Sequence, residues 1–137
     1  MTDAMQNTPI DLGPSYPFQR LLGFRKVLHD TDTARFELDL RGDLTNLVGL
    51  PHGGVHAALL DTALGSAGCF NGAGQPVRKA VTLNLNISFV AAPAGAMLVA
   101  EGRRIGGGRT IYFCEGEVRD GADRLVARAS GTFRYLD

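Results

Sequence analysis

The 137-residue sequence is poor in cysteine, carries no excess charge of either sign, opens without a leader and has no long charge-free apolar run. Each shortage removes a class of protein. The two cysteines, Cys69 and Cys114, lie far apart and fit no metal or redox spacing, so they read as buried, reduced thiols acting as small core hydrophobes. Lys and Arg total 14 against 14 Asp and Glu, and a neutral chain lacks the basic excess of a nucleic-acid binder. The same neutrality lets copies of the chain approach each other with little repulsion. The start, MTDAMQNTPIDLGPSYP, has no basic n-region and no apolar h-region, so it is no secretory signal. The best candidate for a membrane span, residues 55–70, is short and contains His56 and Asp61. What these exclusions leave is a cytoplasmic globular protein of one-domain size, with apolar content of 45% and charged content of 20%.

The first 16 residues, with prolines and a glycine, read as an irregular lead-in, and residues 17–137 as one domain without repeats or linkers. PFQRLLGF (17–24) predicts a short helical turn that packs Phe18, Leu21 and Leu22. ARFELDLR alternates strictly, with Ala34, Phe36, Leu38 and Leu40 on one face, as in a half-buried strand. GDLTN (42–46) reads as a loop. Four further strands are predicted. The first, AVTLNLNISFVA, sets Val81, Leu83, Leu85, Ile87 and Phe89 against Thr82, Asn84, Asn86 and Ser88. The others are 96–105, 109–120 and 124–135, joined by Gly-containing turns into an antiparallel meander.

Between these strands, Gly54 to about Phe70 is too long and too rich in Ala and Leu for a strand and predicts a helix, ended by Gly72-Ala73-Gly74. It is apolar nearly all round and so is buried on most sides. A curved sheet wrapped around one such helix is the α+β solution. Two features stand out: His52-Gly53-Gly54 at the helix entry, and one carboxylate, Asp61, inside the apolar run. A buried charge is costly unless paired or put to use. From the residues alone, Asp61 is either a functional carboxylate or the mark of a single solvated stripe, and the two glycines are either an oxyanion site or a permissive helix entry.

The spacing Asn46-x5-His52-Gly53-Gly54-x6-Asp61, followed by the strand VTLNLNISFVAAP and a Gly-rich turn with a basic residue, resembles the hotdog-fold acyl-CoA thioesterases of the PaaI type. The similarity runs from about Pro17 to the last strand. It implies one long central helix wrapped by a curved antiparallel sheet of five to six strands. It also implies dimers joined edge to edge, often paired into homotetramers, with active sites at the dimer interface. The implied reaction is hydrolysis of acyl-coenzyme A, with aromatic or medium-length acyl groups, using no metal and no cofactor.

The same resemblance assigns roles. The Gly53 N–H, at the positive end of the helix, is the donor to the thioester oxygen. Asp61 is the catalytic carboxylate, either a general base on water or a nucleophile forming a mixed anhydride. Asn46 orients the water or the leaving sulfur, and Thr82 holds the water or the carboxylate from the partner subunit's side. His52 braces the loop. Gly54 lies at the substrate and the Arg109 fork meets coenzyme A phosphate, while His56, which is no hallmark of the family, packs or lines the acyl pocket, with Leu64 at its floor. As ordinary residues, Asn46 is a turn Asn, Thr82 a β-branched strand residue, Arg109 a solvated charge and His29 an exposed histidine. The glycine run 106–108 lacks the Lys-Ser/Thr of a phosphate loop. The alternatives are a non-catalytic acyl-CoA-binding or sensing domain, and an acyl-carrier hydratase or dehydratase, whose motif is not matched.

Overall fold

A computed structural model describes residues 12–137. Residues 1–11 of the expected lead-in lie outside the described residues. The elements are α1 (Pro17–Leu22), β1 (Arg25–Asp30), β2 (Thr33–Asp39), a 3-10 turn (Gly42–Leu44), α2 (Gly53–Ala67), β3 (Ala80–Phe89), β4 (Met97–Gly107), β5 (Ile111–Asp120) and β6 (Leu125–Tyr135). All six strands form one antiparallel sheet in the order β1-β2-β4-β5-β6-β3. Helix α2 touches every strand, so the sheet wraps the helix as its apolar composition requires.

The helix buries Val55, His56, Leu59, Leu60, Ala63, Leu64 and Ala67 and leaves Asp61 and Thr62 on a flank that is only half covered. It lies unusually close to the sheet. Ala34, Gly102, Gly116 and Ala129 are paired across β2, β4, β5 and β6 as one row of small residues. A Cβ added at Gly102 would stand 2.3 Å from the carbonyl oxygen of Ala63.

One strand goes unread in the sequence, and three expectations need correction. RKVLHD is a strand, β1; its charged, half-buried edge position removes the alternation that would have revealed it. In α1, Phe18 and Leu21 are exposed, and Gln19 and the following Phe24 are buried instead. Gln19 is buried because its Nε2 donates to the Phe24 carbonyl at 3.1 Å.

The helix also stops earlier than expected, at Ala67. The Tyr112 ring fills the space where a side chain at Gly68 would stand, and two tyrosines take over the terminal carbonyls. Tyr112 OH donates to Gly65 and Tyr135 OH to Gly68, both at 2.6 Å. His29 does the same for Ser66 through Nε2 at 2.7 Å, and is therefore half-buried rather than exposed. Cys69 and Cys114 are buried free thiols, and burial pushes Cys114 up to about 12.

The β5–β6 turn is tied by one buried carboxylate. Asp120 accepts from the N–H groups of Ala94 (2.8 Å), Ala122 (2.9 Å) and Arg124 (3.0 Å) and from Arg124 Nε (3.0 Å). The Ala94 and Arg124 N–H groups, chiefly, hold its pKa well below the usual carboxylate range. A depressed folded pKa contributes stability that is present above the unfolded value, about 3.9, and is lost as pH falls toward the folded one. Asp120→Asn should therefore flatten the loss of stability below about pH 4, read as the denaturant midpoint against pH.

Candidate active site

The helix entry is built by His52. It is the N-cap of α2, in extended backbone, and its Nδ1 accepts from the Gly54 N–H at 2.8 Å. A Cβ at Gly54 would stand 2.9 Å from that same nitrogen and crowd the cap. The cap therefore occupies the Gly54 donor and leaves the Gly53 N–H with no acceptor among the described residues. Phe89 from β3 lies across Gly53, 3.4 Å from where its Cβ would be.

The loop before the cap is held by Asn46. Its Oδ1 accepts from the N–H groups of Val48 (3.0 Å) and Leu50 (3.1 Å), which is the ordinary work of a turn Asn. Only its amide nitrogen remains available to a ligand. Asn46, Leu50, Pro51, Gly53, His56 and Phe89 help to line a cavity of about 350 Å³ beside the helix N-terminus.

Asp61 belongs to a second cavity of about 340 Å³, whose lining includes Tyr16, His29, Thr62, Arg78, Lys79 and Thr82. Thr82 Oγ1 donates to Asp61 Oδ1 at 2.5 Å. This contact corrects the predicted β3 pattern. Thr82 pairs with Phe133 and Asn84 with Thr132, so Leu83 is an extra residue, a β-bulge. The bulge puts Ala80 and Thr82 on the helix side before it and Leu85, Ile87 and Phe89 on that side after it. Thr82 thus reaches the carboxylate of its own chain, where the resemblance implied a contact from the partner's side.

The remaining predicted residues divide. His56 is buried on α2 at the first cavity. Leu64 is a correction: it is fully buried beneath the sheet, with its Cδ1 2.7 Å from where a Gly116 side chain would stand, and it lines neither cavity. It points to the packed face of α2, against β5 at Gly116. Arg109 lies at the tip of the β4–β5 hairpin, exposed and unpaired among the described residues. Tyr16 was not anticipated; its OH lies 3.5 Å from Thr62 Oγ1 at the Asp61 cavity, and no spacing signal links it to the helix. Among the described residues no three His, Cys, Asp or Glu side chains group as metal ligands.

A family model for the thioesterase superfamily matches residues 49–127, from the capped loop to the start of β6. The chain belongs to the thioesterase superfamily. Its likeness to individual relatives extends beyond that span. The conserved protein PA5202 of Pseudomonas aeruginosa is 31% identical, with 89% of this chain and 95% of that one superposed at a TM-score of 0.78. The candidate esterase Rv1847 of Mycobacterium tuberculosis is 28% identical over 133 residues, 96% of this chain and 94% of the relative. The PaaI protein of the Escherichia coli phenylacetic acid degradation operon is 18% identical with a TM-score of 0.76, covering 88% and 84%. That last likeness shows the fold, which is the hotdog fold: six antiparallel strands curved around one long helix.

Proposed function

We propose that this thioesterase-superfamily chain hydrolyses acyl-coenzyme A thioesters, with aromatic or medium-length acyl groups, at sites shared between two copies in a dimer or tetramer. It does so in the cytoplasm without metal or cofactor. The observation that carries the reading is the pairing of Asp61 with Thr82 in an open cavity, two helical turns from the unmet N–H of Gly53.

The chemistry follows from these groups. The Gly53 N–H, reinforced by the positive end of α2, stabilises the charge that develops on the thioester oxygen. Thr82 fixes Asp61 through Oδ1, leaving Oδ2 to a water. As that water attacks the carbonyl carbon, Asp61 takes its proton; the tetrahedral intermediate then expels the coenzyme A thiolate, which recovers the proton. In the nucleophilic variant, Oδ2 attacks the carbonyl carbon and expels the coenzyme A thiolate to leave a mixed anhydride; water then hydrolyses the anhydride to the free acid and the Asp61 carboxylate, and the proton it releases goes to the thiolate. The Asn46 amide orients the water or the sulfur, and Arg109 meets a phosphate.

One chain does not bring the two ends together. Eight residues of helix separate Gly53 from Asp61, a rise of about 12 Å, whereas reacting atoms stand about 3–3.5 Å apart. A second copy meets the need. Edge strand β3 exposes Val81 (43%) and Leu83 (54%), and the capped loop exposes Leu47 and Val48, apolar surface that suits a twin chain.

Mixing two inactive variants tests this. Gly53→Pro deletes the donor while suiting the first helical position, and His52 already has the extended backbone a following proline demands. Each of Gly53→Pro and Asp61→Asn alone should be nearly inactive in a thiol-release assay over acetyl-, long-chain acyl- and phenylacetyl-CoA. Refolded together at equal ratio, they should recover roughly a quarter of wild-type turnover, since half the dimers are mixed and each has one intact site. No recovery would place each site within one chain. A wild type that binds acyl-CoA but hydrolyses none would favour the binding domain.

A further inference from the structure

We propose that the cavity beside Gly53 selects acyl groups bearing a hydroxyl or oxo oxygen on one of the first carbons beyond the thioester, read by the imidazole of His56. The inference rests on the thioesterase reading for one point only, the seat of the thioester oxygen on the Gly53 N–H.

His56 is 5% exposed, yet neither ring nitrogen has a hydrogen-bond partner among the described residues, and Nδ1 is wholly buried. Native interiors seldom leave such an atom unmet. Burial lowers the pKa of His56, so at neutral pH the ring is uncharged and offers one donor and one acceptor. A histidine serving only as packing would gain nothing from a polar ring in this place. Among the described residues its one ring contact is Phe89, at 6.1 Å between centroids.

The surroundings say what kind of group meets it. The cavity walls include Leu50, Pro51, Phe89, Val90 and Pro93, side chains that hold hydrocarbon and supply no hydrogen bond. An apolar pocket with a few convergent polar groups is the usual form of a small-molecule site, and beside the Gly53 N–H and the Asn46 amide the third polar group here is His56. The position of that group sets where the substrate oxygen lies. His56 is three residues after Gly53, a rise of about 4.5 Å, and helical side chains lean back toward the N-terminus. Phe89 lies beside both: its ring edge is 3.4 Å from the Gly53 Cβ position, and its ring centre is 6.1 Å from that of the imidazole, tilted 58° to it. With the thioester oxygen on Gly53, the imidazole lies alongside the first acyl carbons rather than at the far end of the chain.

The experiment compares kcat/KM for butyryl-CoA, 3-hydroxybutyryl-CoA and acetoacetyl-CoA in wild type, His56→Leu and His56→Gln. The wild type should favour an oxygen-bearing substrate over butyryl-CoA by about tenfold or more, because the unsubstituted chain leaves the nitrogen unpaired. His56→Leu should lose that preference, its kcat/KM values on the oxygen-bearing and unsubstituted substrates coming within about twofold of each other, and His56→Gln should keep part of it. Should His56→Leu fail to fold, the wild-type comparison and His56→Gln decide. Equal rates in the wild type, or a preference unchanged in the variants, overturns the inference. So does a His56→Leu variant whose only change is loss of the dimer, which assigns the nitrogen to a second copy. Dissociation constants of dethia analogues, with methylene in place of sulfur, separate the two readings. No hydrolysis with tighter binding of the oxygen-bearing analogue sinks the thioesterase reading and keeps the pocket; equal binding sinks the pocket.

Discussion

Asp61→Asn should lower kcat on the best acyl-CoA substrate by about three orders of magnitude and leave KM nearly unchanged. The substitution isolates the chemistry because it disturbs so little else. Asn keeps an Oδ1 to accept from Thr82 Oγ1, so the 2.5 Å contact that joins α2 to β3 is retained. It keeps the size of the side chain on a flank that the sheet leaves half covered, so no core contact is lost. What goes is the ability of Oδ2 to take a proton or attack a carbonyl. A positioned base contributes about 10²–10⁴ to rate, and a nucleophile at least as much, so both versions of the mechanism require the loss. Stopped-time thiol release, with the melting temperature and oligomeric state of the variant measured alongside, checks it. A variant that retains a tenth or more of the activity would show that Asp61 only braces β3, and would move the search for the base to the other groups around the cavity.

How much of this was legible in the sequence depends on the range of the signal. Local periodicity suffices for β2, β5 and β6, where apolar and polar residues alternate against a sheet with one buried face. The His52 cap is equally local, since it joins residues two apart. The bulge at Leu83 is not. An unbroken alternation from Val81 to Phe89 satisfies the pattern equally well, and only pairing with β6 reveals the extra residue. The bulge decides the site, because it turns Thr82 inward. His29 and Leu64 were misplaced for a related reason. The partner of His29, the Ser66 carbonyl, becomes an orphan only once α2 ends at Ala67, and that end is set by the distant Tyr112. For Leu64, the heptad-like apolar run hides which face is packed and which is open, since nearly every position of α2 is apolar.

The row of small residues beneath α2 was invisible in the same way, and it carries the largest expected effect on stability. Gly102→Ala should destabilise the fold by about 3 kcal/mol or more, a fall in melting temperature of about 10 °C. The added methyl would meet Ala63 O at 2.3 Å, Ala63 C at 2.5 Å and Leu64 N at 2.7 Å, all of them helix backbone. No rotamer change relieves a clash with backbone, so α2 as a whole must lift from the sheet. Lifting is resisted along its length: Ala63 and Leu64 are fully buried, and Gly116, paired with Gly102, faces Glu101 O and Leu64 just as closely. Dispersion contacts weaken steeply with separation, so even a small shift of the helix forfeits packing at every strand it touches. The comparison that isolates this cause is Gly121→Ala in the β5–β6 turn, where nothing stands within 4 Å and φ is not left-handed. There the same methyl should be neutral or stabilise by up to about 1 kcal/mol through the unfolded chain. Thermal and denaturant unfolding of the two variants side by side tests the argument, and equal stabilities would show that the helix adjusts freely over the sheet. A displaced α2 would also carry Gly53 and Asp61 with it, so Gly102→Ala should lose activity before it loses its fold.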